Sequence, residues 1–150
     1  MNILIIEDEI PAGKRLSQLI NRFKPEARIL SVIDSVEASV KWLKSNTSPS
    51  LIFMDIQLAD GLSFDIFTQV SVQSPVIFTT AYDQYTLKAF KVNSIDYLLK
   101  PIDPEELAAA FDKFDNFYKA QISYDPLTIQ QLIKAMNQPE YKERFIINIG

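Results

Sequence analysis

The 150 residues carry 15 Lys and Arg against 19 Asp and Glu, a net charge of −4, with no cysteine and no histidine. Disulfides, thiolate chemistry and Cys- or His-ligated metals are excluded, and any phosphohistidine or histidine base must come from a partner. Charges of both signs are scattered, which argues against nucleic-acid binding by this chain itself.

Apolar residues make up 47% and charged ones 23%, an ordinary globular ratio, and the length suits one domain with an extension. Met1-Asn2 leads into an apolar run that is too short for a signal peptide and lacks a basic start. No run is long enough to span a membrane. A cytoplasmic protein with no membrane association is expected.

The elements follow in chain order. Ile3-Leu4-Ile5-Ile6 reads as a buried strand and ends in three acids, Glu7-Asp8-Glu9. Leu16, Leu19, Ile20 and Phe23 share one face of a helix that starts near Pro11 and closes at Lys24-Pro25. A second strand covers 29–33. Ser35 is the expected N-cap of a second helix carrying Val36, Val40 and Leu43. Leu51-Ile52-Phe53-Met54 is a third strand, continuous enough to be buried on both faces, and Asp55 stands at its carboxyl end. Phe64, Ile66, Phe67 and Val70 predict a short third helix, broken at Ser74-Pro75. Val76–Thr80 is a fourth strand. Asp83 is the expected cap of a fourth helix with Leu87, Ala89, Phe90 and Val92. Tyr97-Leu98-Leu99 is a fifth strand, closed by Lys100-Pro101. Asp103-Pro104-Glu105-Glu106 starts a fifth helix whose buried face is Leu107, Ala110, Phe111, Phe114 and Phe117 or Tyr118.

This alternation predicts an α/β fold, a five-stranded parallel sheet with helices on both faces. In the common strand order 2-1-3-4-5 the switch point falls between strands 1 and 3. Glu7, Asp8 and Glu9 then meet Asp55 at one sheet edge, to which strand 4 brings Thr80 and strand 5 brings Lys100. Thr79, its neighbour, faces the other way. Clustered carboxylates need a cation to stay ionised, and oxygen-only donors select Mg²⁺, Mn²⁺ or Ca²⁺. A hydroxyl and a lysine complete a phosphate site, and a carboxylate can itself be a nucleophile. Two readings follow: metal-assisted phosphoryl transfer onto Asp55, or binding of a phosphate-bearing ligand.

ILIIEDE, LIFMDIQLADG, VIFTTA and DYLLKP, in this order and spacing, resemble the response-regulator receiver domain of two-component systems over residues 1–120. The resemblance implies the flavodoxin-like receiver fold. It makes Asp55 the phosphoacceptor and assigns Mg²⁺ to Glu7, Asp8, Asp55 and the main-chain carbonyl of Gln57. It gives the phosphoryl contacts to Thr80, Lys100 and the backbone of Ala81, makes Lys100-Pro101 a cis bond, and makes Thr80 and Tyr97 switch residues. The donor is a sensor histidine kinase. Such a domain is a switch with at most slow autodephosphorylation rather than an enzyme, and it is expected to dimerise through the face of the fourth helix, fifth strand and fifth helix. The loop Ile56-Gln57-Leu58-Ala59 departs from many receivers: it is short and lacks proline. The carbonyl position of Gln57 is expected to survive this, while the start of the third helix is less fixed.

Residues 121–143 read as a partly helical linker, with Leu127, Ile129, Leu132, Ile133 and Met136 apolar. Residues 144–150 read as the first strand of a second domain. TTAYDQY and IDYLLKP resemble regulators of the LytTR type, so transcriptional control through DNA binding is expected of an intact protein and not of this chain. The alternative is a native tail over 122–150 that docks or swaps.

Three other functions compete. A flavodoxin-like cofactor binder needs a phosphate-cradling loop after strand 1, where Glu7-Asp8-Glu9 would repel phosphate. A haloacid-dehalogenase-type hydrolase needs a second aspartate two residues after the nucleophile, where Gln57 stands. A phosphate-independent receiver-like interaction module is opposed by the complete set of acids, threonine and lysine.

Overall fold

Residues 1–85 and 94–120 are described by a computed structural model. The apolar runs become strands β1 (Asn2–Ile6), β2 (Arg28–Ile33), β3 (Leu51–Asp55), β4 (Val76–Thr80) and β5 (Ser94–Leu99). They form one parallel sheet in the order β2-β1-β3-β4-β5, the predicted order. The helices are α1 (Ile10–Phe23), α2 (Val36–Ser45), α3 (Ile66–Gln69) and α4 (Pro104–Ala120), the last being the fifth predicted from sequence. The predicted fourth helix, with Leu87, Ala89, Phe90 and Val92, lies outside the described residues. So do the expected linker helix and terminal strand.

Side chains alternate across a strand, and this divides the core in two. Ile3, Ile5, Leu51, Phe53, Ile77 and Leu98 face Leu16, Leu19 and Ile20 of α1 and Leu107, Ala110, Phe111 and Phe114 of α4. Leu4, Ile6, Ile52, Met54, Val76 and Phe78 face Val36 and Val40 of α2 and Ile66 of α3. Every residue of β3 is buried, as expected of a central strand covered on both faces. Phe53 and Phe111 meet edge-to-face at 5.8 Å, joining β3 to α4. Phe117 is half-buried on the same helix.

Three local features differ from the sequence reading. Gln57–Leu58 and Gly61–Leu62 pair as a small antiparallel hairpin, with Gly61 at a φ of +146°, a conformation that favours glycine. The short third helix expected from Phe64, Ile66, Phe67 and Val70 is a 3₁₀ turn, Ser63–Asp65, followed by a single α-helical turn, Ile66–Gln69. β5 begins at Ser94 rather than Tyr97. Asp96 interrupts its apolar run, and its carboxylate lies 3.3 Å from the Lys113 ammonium on α4.

Candidate phosphoacceptor site

The chain leaves β1 for β2 on one side and returns to β3 on the other, which opens a crevice where the strands end. β1 delivers Glu7 and Asp8 to it, and β3 delivers Asp55. Register carries the pattern across the sheet: Asp55 lies beside Thr79, and Thr80 beside Leu99, which immediately precedes Lys100. The predicted Glu7, Asp8, Asp55, Thr80 and Lys100 therefore come together at one edge.

Carboxylate oxygens of Glu7, Asp8 and Asp55 lie within 4.8 Å of one another. Glu7 and Asp55 are only 4% and 5% exposed, so their charges need compensation. Lys100 supplies it. Its Nζ is 2.5 Å from Oε1 of Glu7 and donates to Oδ2 of Asp55 at 2.9 Å, with Glu9 at 4.0 Å. The second oxygen of each acid is held by backbone: Gln57 N–H donates to Asp55 Oδ1 at 3.3 Å, and Glu9 N–H to Glu7 Oε2 at 3.2 Å.

Burial pushes the Glu7 carboxyl above its ordinary value. Lys100 opposes that rise, and Asp55 adds to it. Asp8 is also raised, by burial and then by Glu7. Burial alone would lower the Lys100 ammonium, but Glu7 and Asp55 outweigh it and hold it above its usual range.

Thr80 is buried, and its Oγ accepts from Tyr82 N–H at 3.2 Å. The Lys100 N–H donates to the Thr80 carbonyl at 2.7 Å, fixing the start of the lysine's excursion. The Lys100-Pro101 bond is cis. A cavity of about 260 Å³ opens above Asp55, lined by Asp8, Glu9, Gln57, Leu58, Thr80, Ala81, Tyr82 and Lys100. Thr79 is buried and does not line it. Tyr97 sits beside the site rather than in it, and its hydroxyl donates to the Tyr82 carbonyl.

The donor set fits a small hard cation: several carboxylate oxygens close together, no nitrogen or sulfur ligand, and acids whose pKa values a cation would relieve. Glu7, Asp8 and Asp55 are the side chains that could hold such a cation.

Two contributors escaped the sequence reading. Asp60 accepts from the N–H groups of Val36 and Glu37 at 2.7 and 3.1 Å, so the hairpin caps α2 alongside Ser35, which takes the Ala38 N–H at 3.1 Å. Tyr85 receives a hydrogen bond from the Gln57 amide at 3.0 Å. The Asp-Gly pair hinted at the turn that aims Asp60; nothing in the sequence pairs Gln57 with Tyr85.

Comparison with known proteins agrees with this fold. The response regulator receiver domain family matches residues 3–112. Sensory transduction protein LytT of Bacillus anthracis is 37% identical over 125 residues, covering 81% of this chain and 50% of the relative. Sensory transduction protein LytR of Staphylococcus haemolyticus is 30% identical over 146 residues, covering 95% and 56%. The chain thus spans about half the length of these curated relatives. The crystal structure of the response regulatory domain of protein mrkE from Klebsiella pneumoniae superposes with a TM-score of 0.70 at 29% identity, covering 81% of this chain and 100% of that domain. With sheet order, acidic crevice and family match in agreement, this chain belongs to the response-regulator receiver family of two-component systems.

Proposed function

We propose that Asp55 is the phosphoacceptor of this receiver and that its phosphorylation, supported by Mg²⁺, switches the domain. An Asp55 oxygen attacks the phosphorus of a phosphohistidine on a sensor histidine kinase. The P–N bond breaks, its electron pair returns to the imidazole, and an aspartyl-phosphate remains. Mg²⁺ held by Glu7, Asp8, Asp55 and the Gln57 carbonyl would offset the charge of the phosphoryl oxygens. Lys100, already paired with Asp55, is in reach to neutralise one of those oxygens, and the Thr80 hydroxyl and Ala81 N–H would donate to the others. Hydrolysis of the adduct returns the site to its starting state slowly, so the domain acts as a switch rather than a turnover enzyme. The observation that carries this reading is the meeting of Asp55, Asp8, Thr80 and Lys100 around one small cavity, with Glu7 beside Asp55 and paired with Lys100.

Thr80 and Tyr97 are the proposed switch pair, since both contact Tyr82. A Thr80 drawn toward a phosphoryl group moves the segment that Tyr97 holds, and with it the face proposed for dimerisation: the predicted fourth helix, β5 and α4. Residues 121–143 would link this domain to a LytTR-type DNA-binding domain starting near 144, giving transcriptional control in a cytoplasmic protein. Among the described residues no helix is long and apolar enough to cross a membrane.

Thermal unfolding with Mg²⁺ and beryllofluoride, which mimics a phosphoryl group, tests this reading. The wild-type Tm is expected to rise through ligand linkage, and that of Asp55→Asn to stay unchanged. An equal rise in both would contradict it.

A further inference from the structure

The segment after β4 borders the Asp55 cavity. Ala81, Tyr82 and Gln57 all line that cavity. The segment is pinned at two points. Near its start, Tyr82 gives its N–H to Thr80 and its carbonyl accepts from Tyr97. At its end, a 3₁₀ turn over Asp83–Tyr85 presents the Tyr85 hydroxyl to the Gln57 amide, 3.0 Å away. The Tyr85 ring meets Phe64 edge-on at 6.3 Å, and Phe64 lies against Phe78 of β4 at 5.3 Å. A strap of five residues, 81–85, thus runs from the site's threonine to the hairpin that follows its aspartate.

We propose that Tyr85 is a positioning residue for phosphorylation of Asp55. It acts through Gln57 and holds the 81–85 strap in place beside the cavity. This rests on the proposed phosphorylation of Asp55. The strap carries Ala81, which lines the cavity and whose N–H is the proposed phosphoryl donor. A donor held in place before reaction costs no ordering when phosphoryl charge arrives. The hairpin end of the pin matters equally, because Gln57 also gives its own N–H to Asp55. One hydrogen bond between partly solvated side chains has a modest worth, so its loss should slow the reaction by about threefold to tenfold rather than abolish it.

The test is a double-mutant cycle on the full 150-residue chain. The probe is an acyl phosphate such as acetyl phosphate with Mg²⁺. Asp55 attacks its phosphorus, the P–O bond to acetate breaks, and acetate leaves with the electron pair. Rates of adduct formation come from intact mass on wild type, Tyr85→Phe, Gln57→Ala and the double variant. Tyr85→Phe keeps the ring on Phe64 and removes only the hydroxyl. The proposal expects Tyr85→Phe to slow the reaction severalfold when Gln57 is present and to have no further effect when it is absent, with Tm and Mg²⁺ affinity unchanged. An unaltered rate in Tyr85→Phe would overturn it, as would the same slowing in both backgrounds, which marks a general structural effect. If Tyr85→Phe does not fold by circular dichroism, Gln57→Ala decides alone: slowing supports the pin and an unchanged rate overturns it. Absence of any adduct on wild type would overturn the underlying reading as well, whereas a normal wild-type adduct with an unaffected Tyr85→Phe rate overturns only this proposal.

Discussion

The Lys100 ammonium donates to Oδ2 of Asp55 at 2.9 Å across 45 positions of sequence, and the same nitrogen is 2.5 Å from Glu7. One cation therefore holds two nearly buried carboxylates together. Its removal leaves both uncompensated, which is far more costly than losing a surface ion pair. Lys100→Met is expected to lower unfolding free energy at neutral pH by about 2 to 4 kcal/mol. Mg²⁺ is expected to recover part of that loss by supplying another positive charge. Urea titrations with and without Mg²⁺ measure both effects; a loss below about 0.5 kcal/mol, typical of surface pairs, would contradict this account of the site.

Thr80 ties the site to the strap through its hydroxyl. Thr80→Ala removes both the acceptor for Tyr82 N–H and the proposed phosphoryl donor. Adduct formation from acetyl phosphate is expected to fall by about tenfold or more, while Thr80→Ser retains most of the rate. Thr79→Ala, at the buried neighbour outside the cavity, is expected to cost stability and leave the rate near wild type. Equal rate losses at 79 and 80 would contradict the assigned facing of β4.

The N-terminus of α2 carries two caps, Ser35 from its own sequence and Asp60 from the hairpin. Ser35→Ala is expected to destabilise by about 1 kcal/mol. Asp60 adds a pH signature. The N–H groups of Val36 and Glu37 hold its carboxyl below the ordinary value, so its folded pKa lies below its unfolded one. Its contribution is complete above the unfolded value and is lost as pH falls through the depressed folded value. Stability against pH, compared between wild type and Asp60→Asn, should differ most above the ordinary carboxylate range and converge in acid. A constant difference at all pH values would show that the ionised cap is not the source.

Phe111 seals the α4 side of the core against Phe53 and also lies under Lys24, whose Nζ is 5.7 Å from its ring centroid and 3.0 Å from Asp115. Phe111→Ala is expected to cost about 3 to 5 kcal/mol, and Asp115→Ala well under 1 kcal/mol, because that pair is partly exposed. Denaturant midpoints for the two variants check the ranking, and the reverse order would contradict it.

Much of this was legible in the chain. The runs at 3–6, 51–54 and 76–80 are continuous because the strands are covered on both faces, and that continuity identifies them. Ser35, Pro11 and Asp103-Pro104 mark helix starts by local chemistry that tertiary contacts did not override; Glu105 N–H does donate to Asp103 at 2.9 Å. The acids, threonine and lysine converge because each ends a strand. Other features depend on contacts between distant residues. The 57–62 hairpin has two-residue strands, too short for any periodicity. Asp96 hid the first half of β5 because its partner Lys113 is on another element. Tyr85 and Gln57 lie 28 positions apart and meet through the tertiary fold, not through any local pattern.

The central claim is that Asp55 itself takes the phosphoryl group. Intact-mass analysis after incubation with Mg²⁺ and acetyl phosphate measures this directly, with peptide mapping after reductive trapping of the acyl phosphate. The account predicts one labile phosphoryl adduct per chain, mapped to Asp55, dependent on Mg²⁺ and absent from Asp55→Asn. An unmodified wild-type chain, or an equal adduct on Asp55→Asn, would contradict it.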